Sequence, residues 1–266
     1  MTRRSAPAGA DPAARRGGRR GSVRTAGRLG PRLPAGPAGA TGRARGAGRP
    51  VVALGNAGVP DSIAARVFLL AYDPAKGRLT ARSKLGKVVR AAVLVDLLLP
   101  GNLVDEDGRA RVTNAPAPAD PVAAAVLEEL RTAGPRRWPH WIDRRGGATV
   151  RQVRDELARA RLIKVEPRRV LGIFPADRIT LRHPLVRRHL LQSAHDTLRP
   201  SRLVSRVDLR DASVVVLAST ADLRTVLTKD QRTRHKDRLG QLAVRVGPVV
   251  SALKKSLQQS QYSAGG

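Results

Sequence analysis

The chain of 266 residues contains no cysteine, which excludes a disulfide framework, thiol chemistry and any cysteine-ligated metal. Aromatic residues make up only 2%, too few for a platform that stacks nucleic-acid bases on rings. No run approaches the roughly 18 consecutive apolar residues that read as a membrane span. The start, MTRRSAPAGADPAARRGG, has no apolar stretch behind its arginines, so no secretory signal is expected. Acids are scarce: 21 Asp and Glu stand against 50 Lys and Arg, a formal net charge of +29. Such a balance predicts a polyanionic partner, nucleic acid or an anionic membrane surface, and says nothing about fold. Gly-rich phosphate loops, nucleophile elbows and convincingly paired carboxylates are missing too. His183, His189, His195 and His235 form no carboxylate-rich or His-x-x-x-His grouping. The expectation is a protein that is not an enzyme and uses no cofactor and no metal.

What is present is organised around Lys84 to Leu99, KLGKVVRAAVLVDLLL, followed by Pro100-Gly101. From Val88 to Leu99 only Arg90 and Asp96 are charged, and a helix apolar all round is a buried one. Lys84, Lys87 and Arg90 recur every three residues and predict an oblique basic stripe on one face of its first turns. Cations at a helix start oppose the macrodipole, which points to an anion as their partner there; a solvated basic edge is the competing reading.

Residues 1–49 hold twelve arginines, one acid and no lysine in Ala, Gly and Pro, a net +11 with little to bury. This stretch is predicted to be a disordered arm that adheres to anionic surfaces. Residues 50–266 are then a single mainly α domain carrying one or two β-hairpins. Asp61 or Ser62 caps a first helix through Ile63 and Ala71, and DPAKG (73–77) is a turn. LVDEDGRARV (103–112) reads as a hairpin, its acids as solvated turn residues. Pro121 opens a helix, and GPRRWPHWIDRRGG holds Trp138, His140 and Trp141. From Thr149, a candidate N-cap, VRQVRDELARARLI is helical, with Val150, Val153 and Leu157 inward and Arg151, Arg154 and Arg161 outward. A second hairpin, RLIKVEPRRVLGIFP, turns around Glu166 to Arg169, and helix plus hairpin has a winged-helix outline. Residues 183–198 and 212–227 are helices, 229–246 is a charged and then amphipathic one, and VVSALKKSLQQS closes the chain.

The succession RVFLLAYDPAKGRL, RAAVLVDLLLPGNLV, the Pro-rich loop with Asp120, PHWID, and VRQVRDELARARLI with RVLGIFP resembles the Golgi phosphoprotein 3 family, its actinobacterial members in particular. The resemblance covers roughly residues 62–260 and rests on the order of five motifs rather than on one specific signature. It implies a mostly helical domain that sits peripherally on the cytoplasmic face of a membrane and binds phosphatidylinositol 4-phosphate in a basic pocket. The family's pocket arginine ahead of the central apolar run falls on Arg90, with Lys87 and Lys84 beside it. Its two basic residues spaced by three fall on Arg151 and Arg154; a register one turn along leaves Arg154 alone. The family's pocket tryptophan is Ala81 here, which bears on which lipid is bound. The resemblance also has the second hairpin touch the membrane or a neighbouring subunit through Leu162, Val170, Leu171, Ile173 and Phe174, ordinary core packing being the alternative. The resulting expectation is a peripheral membrane protein reading phosphoinositide-like headgroups. A nucleic-acid-binding protein with a winged helix and a basic arm is the runner-up.

Overall fold

In the computed structural model the described residues are 58–170 and 174–262, with backbone alone over 168–170 and 174–176. The 1–49 arm and Leu171 and Ile173 of the hairpin lie outside them.

Helix α1 (Ile63–Ala71) starts where Ser62 Oγ accepts from Ala65 N, so Ser62 is the cap. A second acceptor comes from far along the chain. The Asp96 carboxylate takes Ile63 N at 2.9 Å, Ala64 N at 3.1 Å and Ser62 Oγ at 3.1 Å. Strands β1 (Tyr72–Asp73) and β2 (Arg78–Leu79) form a minimal hairpin over the expected turn.

Helix α2 (Arg82–Leu98) begins two residues earlier than its apolar period suggests. From Val88 to Val95 every side chain is buried, Arg90 included. It packs on α1 and on five helices that follow it: α3 (Pro121–Ala133), α4 (Trp138–Asp143), α5 (Gly146–Arg159), α7 (Leu209–Thr220) and α10 (Pro248–Tyr262). Full burial of a Val or Leu stabilises by about 1.5–3 kcal/mol, so the helix with the longest mostly apolar stretch is best placed among these neighbours.

Between α2 and α3, strands β3 (Leu103–Glu106) and β4 (Arg109–Val112) pair around Asp107 and Gly108, both at positive φ. That is the backbone of a tight two-residue hairpin turn. A third strand, β5 (Arg136–Arg137), adds to β4 and was not visible in the sequence pattern. Asp105 does more than face water: it accepts from the Trp138 indole at 2.5 Å. Asp120 caps α3 through Val122 N and Ala123 N.

Two expectations about the next segment need correction. Thr149 is not an N-cap. Helix α5 starts three residues earlier, after Arg145, and Thr149 lies buried in its first turns. The second hairpin does not turn at Glu166–Arg169. Strands β6 (Ile163–Val170) and β7 (Phe174–Leu181) are eight residues each, with Glu166 opposite Arg178 and Pro167 opposite Asp177. A two-stranded ribbon has only edge strands, which is where proline is tolerated. The helix-then-hairpin outline holds.

Helix α6 (Pro184–Thr197) matches the reading; α7 is helical and buried as expected but starts at Leu209, capped by Asp208, and ends at Thr220, so 221–227 is turns rather than helix. The stretch 229–246 is two helices, α8 (Lys229–Arg234) under a Thr228–Gln231 capping box and α9 (Lys236–Val246), parted at His235. The chain is mainly helical with small antiparallel sheets, as expected.

Candidate functional site

Helices α2 and α5 cross at their beginnings, and glycine makes the crossing close. A Cβ on Gly146 would lie 2.8 Å from the Gly86 carbonyl carbon, and one on Gly86 would lie 3.0 Å from that of Gly146. Both helices start from a left-handed residue, Ala81 at φ 52 and Arg145 at φ 52, and neither has a side-chain cap. The first N–H groups of a helix have no partner inside it. Here two such ends, each with the positive pole of its macrodipole, meet at one place.

That place is a cleft of about 460 Å³. Arg78 and Leu79 of β2 form one wall, and Arg82, Ser83, Gly86 and Lys87 of α2 form the next. Asp143, Gly146, Gly147 and Val150 line the α5 side, with Asp177 and Ile179 of β7 behind. Its two acids are already engaged. Asp143 holds Lys87 Nζ at 2.5 Å and accepts from the buried Ser256 hydroxyl, while Asp177 pairs with Arg154. Ser256 Oγ and its carbonyl lie 2.9 and 3.1 Å from Lys87 Nζ, so α10 pins this lysine at the cleft. Arg78 and Arg82 are exposed, and among the described residues no carboxylate pairs with either. The cleft therefore has free cations, occupied anions and two open helix starts, which suits an anion.

The residues singled out from sequence are dispersed around it. Lys87 lines the cleft. Lys84 faces a different one, toward α6 and the end of α7. Arg90 is in the core, 1% exposed. Three residues along a helix turn about 300°, so a stripe spaced by three drifts by about 120° over six residues. That drift carries Arg90 off the face that Lys84 begins. Arg90 donates from Nε to Trp141 O at 3.0 Å, from one Nη to Thr149 Oγ1 at 3.3 Å and from the other to Glu129 Oε2 at 2.8 Å. Glu129 also accepts from Arg144. Burial lowers the Arg90 pKa, with Glu129 opposing that shift. Burial pushes Glu129 up, but Arg90 and Arg144 outweigh it and leave this carboxyl below its ordinary value. The guanidinium is thus spent on tying α2 to α3, α4 and α5 and does not open on the cleft. Arg151 is exposed, its guanidinium beside Gly147, and Arg154 sits on Asp177 at the rim. Leu162 is buried in the core at the foot of the ribbon, so its side chain is not a contact surface. The side chains of Val170 and Phe174 fall outside the described residues; their backbones pair at the end of the ribbon. Arg78, Arg82 and the Gly146-Gly147 pair were missed from sequence. The signal was there: two glycines directly ahead of a helical period mark a close backbone approach.

The class this defines is a mainly helical domain around one buried helix, with a basic cleft where two helices begin. Residues 63–260 match the family described as Golgi phosphoprotein 3 (GPP34), and the chain belongs to that family. Comparison with curated protein sequences gave no match.

Proposed function

We propose that the protein attaches peripherally to membranes by reading an anionic lipid headgroup, phosphoinositide-like, in the cleft between the starts of α2 and α5. The observation that carries this is the pairing pattern: both cleft acids are engaged while Arg78 and Arg82 face it without a carboxylate partner. Arginine suits a phosphate through its planar, two-pronged donor geometry. Exposed backbone at Gly147, next to the half-buried Gly146, allows an oxygen to approach the α5 N–H groups. The overall charge of +29 adds attraction to an anionic leaflet such as the inner face of the cell membrane, and family membership accords with it. Among the described residues no helix is long and apolar enough to cross a membrane. No catalytic step and no cofactor enters the proposal, and the ribbon end remains the surface offered to the membrane or a second subunit.

The test is sedimentation with phosphatidylcholine vesicles, with and without phosphatidylinositol 4-phosphate, beside a duplex-DNA gel shift over a salt series. Headgroup-dependent sedimentation that persists at about 0.15 M salt, where exposed charges are screened, is the expected result. Tight DNA binding with no headgroup preference would replace the proposal by the nucleic-acid reading.

A further inference from the structure

The β1–β2 turn has a cleft on either side. The second, of about 600 Å³, opens toward α6 and the segment after α7, and Ser83 lines both. Its charges do not balance. Lys76, Lys84, Arg187 and Arg224 line it against Asp73 and Asp222. Asp73 is occupied by Ala75 N, by Lys76 N and, at 3.6 Å, by Lys76 Nζ. Asp222 is shared between Arg224 and Arg232. Lys84 and Arg187 are left, among the described residues, with no carboxylate at ion-pair distance.

Arg187 is also held in place. Its Nε donates to Tyr72 O at 3.0 Å and an Nη to Thr225 O at 3.5 Å, and burial lowers its pKa. Asp73 offsets that shift in part from beyond ion-pair distance, and a fixed, partly desolvated guanidinium without a paired carboxylate is costly unless something supplies the charge. In the same cleft the Thr225 hydroxyl is out of water and has no hydrogen-bond partner among the described residues. Buried polar atoms left unpaired are rare enough to need a reason, and an absent ligand is one.

We propose that this second cleft is a distinct anion site that takes a phosphomonoester, gripped by Lys84 and Arg187 with the Thr225 hydroxyl as a further donor. Two cations without an ion-pair partner match a group carrying about −1.5 to −2 near neutral pH, whereas a carboxylate leaves one of them unpaired. The proposal stands whether or not the first cleft reads a headgroup. If both are right, the domain holds two anionic groups at once, one on each side of Ser83.

Equilibrium dialysis of the full chain against labelled inorganic phosphate at about 0.15 M salt counts the sites with surface attraction screened. Lys84→Ala should weaken one class of site at least tenfold and Thr225→Val severalfold, while Arg82→Ala leaves that class unchanged. Arg187 also ties backbone segments together, so Lys84→Ala and Thr225→Val carry the test and thermal melts confirm that both fold. Phosphate binding unaffected by both variants, or a single class abolished by Arg82→Ala, overturns the second site without touching the first. A Lys84-dependent class with no Arg82-dependent class beside it counts against the headgroup reading and leaves the second site standing. Repeating the Lys84→Ala comparison with glycerol 3-phosphate and with phosphatidylcholine vesicles containing phosphatidic acid tells whether the phosphate is soluble or membrane-borne. An effect on either probe supports the site, and none on both refutes it.

Discussion

The first turns of α2 and the turns directly after them carry similar cations put to opposite uses. At Arg82 the guanidinium is exposed and, among the described residues, has no ion-pair partner, at an uncapped helix start. At Arg90, eight residues on, it is 1% exposed and bonded to three groups from three other helices. One is available to a ligand; the other is part of the frame that positions the ligand's cleft. The difference teaches that a basic residue on a predicted helix is uninformative until its acceptors are known. Glu129 makes Arg90 structural, and the lack of any such partner makes Arg82 a candidate for binding.

Removing Arg90 should break that comparison most severely. Arg90→Met takes one of its two arginine partners from Glu129 and leaves the Trp141 carbonyl and Thr149 hydroxyl without their buried donor, and breaking a buried pair costs about 3–5 kcal/mol. With about 2–4 °C lost per kcal/mol for a domain of this size, the melting temperature should fall by about 10 °C or more. The double variant Arg90→Met with Glu129→Leu should recover much of it, since apolar replacement of a whole buried pair is often tolerated. If the single variant melts like the parent, the buried network is not structural.

Asp96 extends the contrast to the far end of α2. Burial, reinforced by the charge of Asp120, pushes its carboxyl up to about 6, against the pull of Ile63 N, Ala64 N and Ser62 Oγ. The unfolded value is about 3.9. Between those two pH values the folded chain keeps a proton that the unfolded chain releases. This group's contribution to stability is therefore highest below about pH 4 and falls as pH rises through 6, by on the order of 2–3 kcal/mol. Denaturant melts of the parent and of Asp96→Asn across pH 4 to 7 should diverge by that amount in favour of the variant. Parallel curves contradict the buried-acid account.

A smaller effect tests the crossing. Gly146→Ala places a methyl group against Gly86 backbone, and overpacking of this kind costs about 1–3 kcal/mol. The same substitution should weaken vesicle binding because it parts the two helix starts. Arg82→Ala gives the complementary outcome. Its melting temperature should not move, while headgroup-dependent vesicle binding falls ten- to a hundredfold, as expected for a charge-assisted contact worth about 1.5–3 kcal/mol. Reversing the exposed Arg109 on β4 is the control for overall charge; an equal loss there would mean a sticky basic surface and no cleft.

Much of this frame was legible in the residues. The apolar run of α2, the cap at Ser62, the helix start at Pro121 and the Asp107-Gly108 turn are local signals, and local physics set them. What escaped were features decided by contacts across the fold. Helix α5 begins in two glycines, poor helix formers, because Gly86 is pressed against Gly146. Strand β6 runs through Pro167, whose presence in the sequence suggested a turn, because an isolated ribbon has no central strand to disrupt. Arg90 read as the end of a surface stripe because nothing near it in sequence announces Glu129 or the Trp141 carbonyl. The cleft was anticipated in kind and not in membership. Lys87 lines it, Arg151 and Arg154 stand at its edge, and Arg78 and Arg82 complete it.

The most direct measurement is a nuclear magnetic resonance titration of the labelled protein with soluble glycerophosphoinositol 4-phosphate. The account predicts progressive shifts at the Gly146 and Gly147 amides and at the side chain of Arg82, with the Arg90 Nε–H signal unmoved. A response centred on Arg90 and Glu129, with the two glycine amides silent, would contradict it.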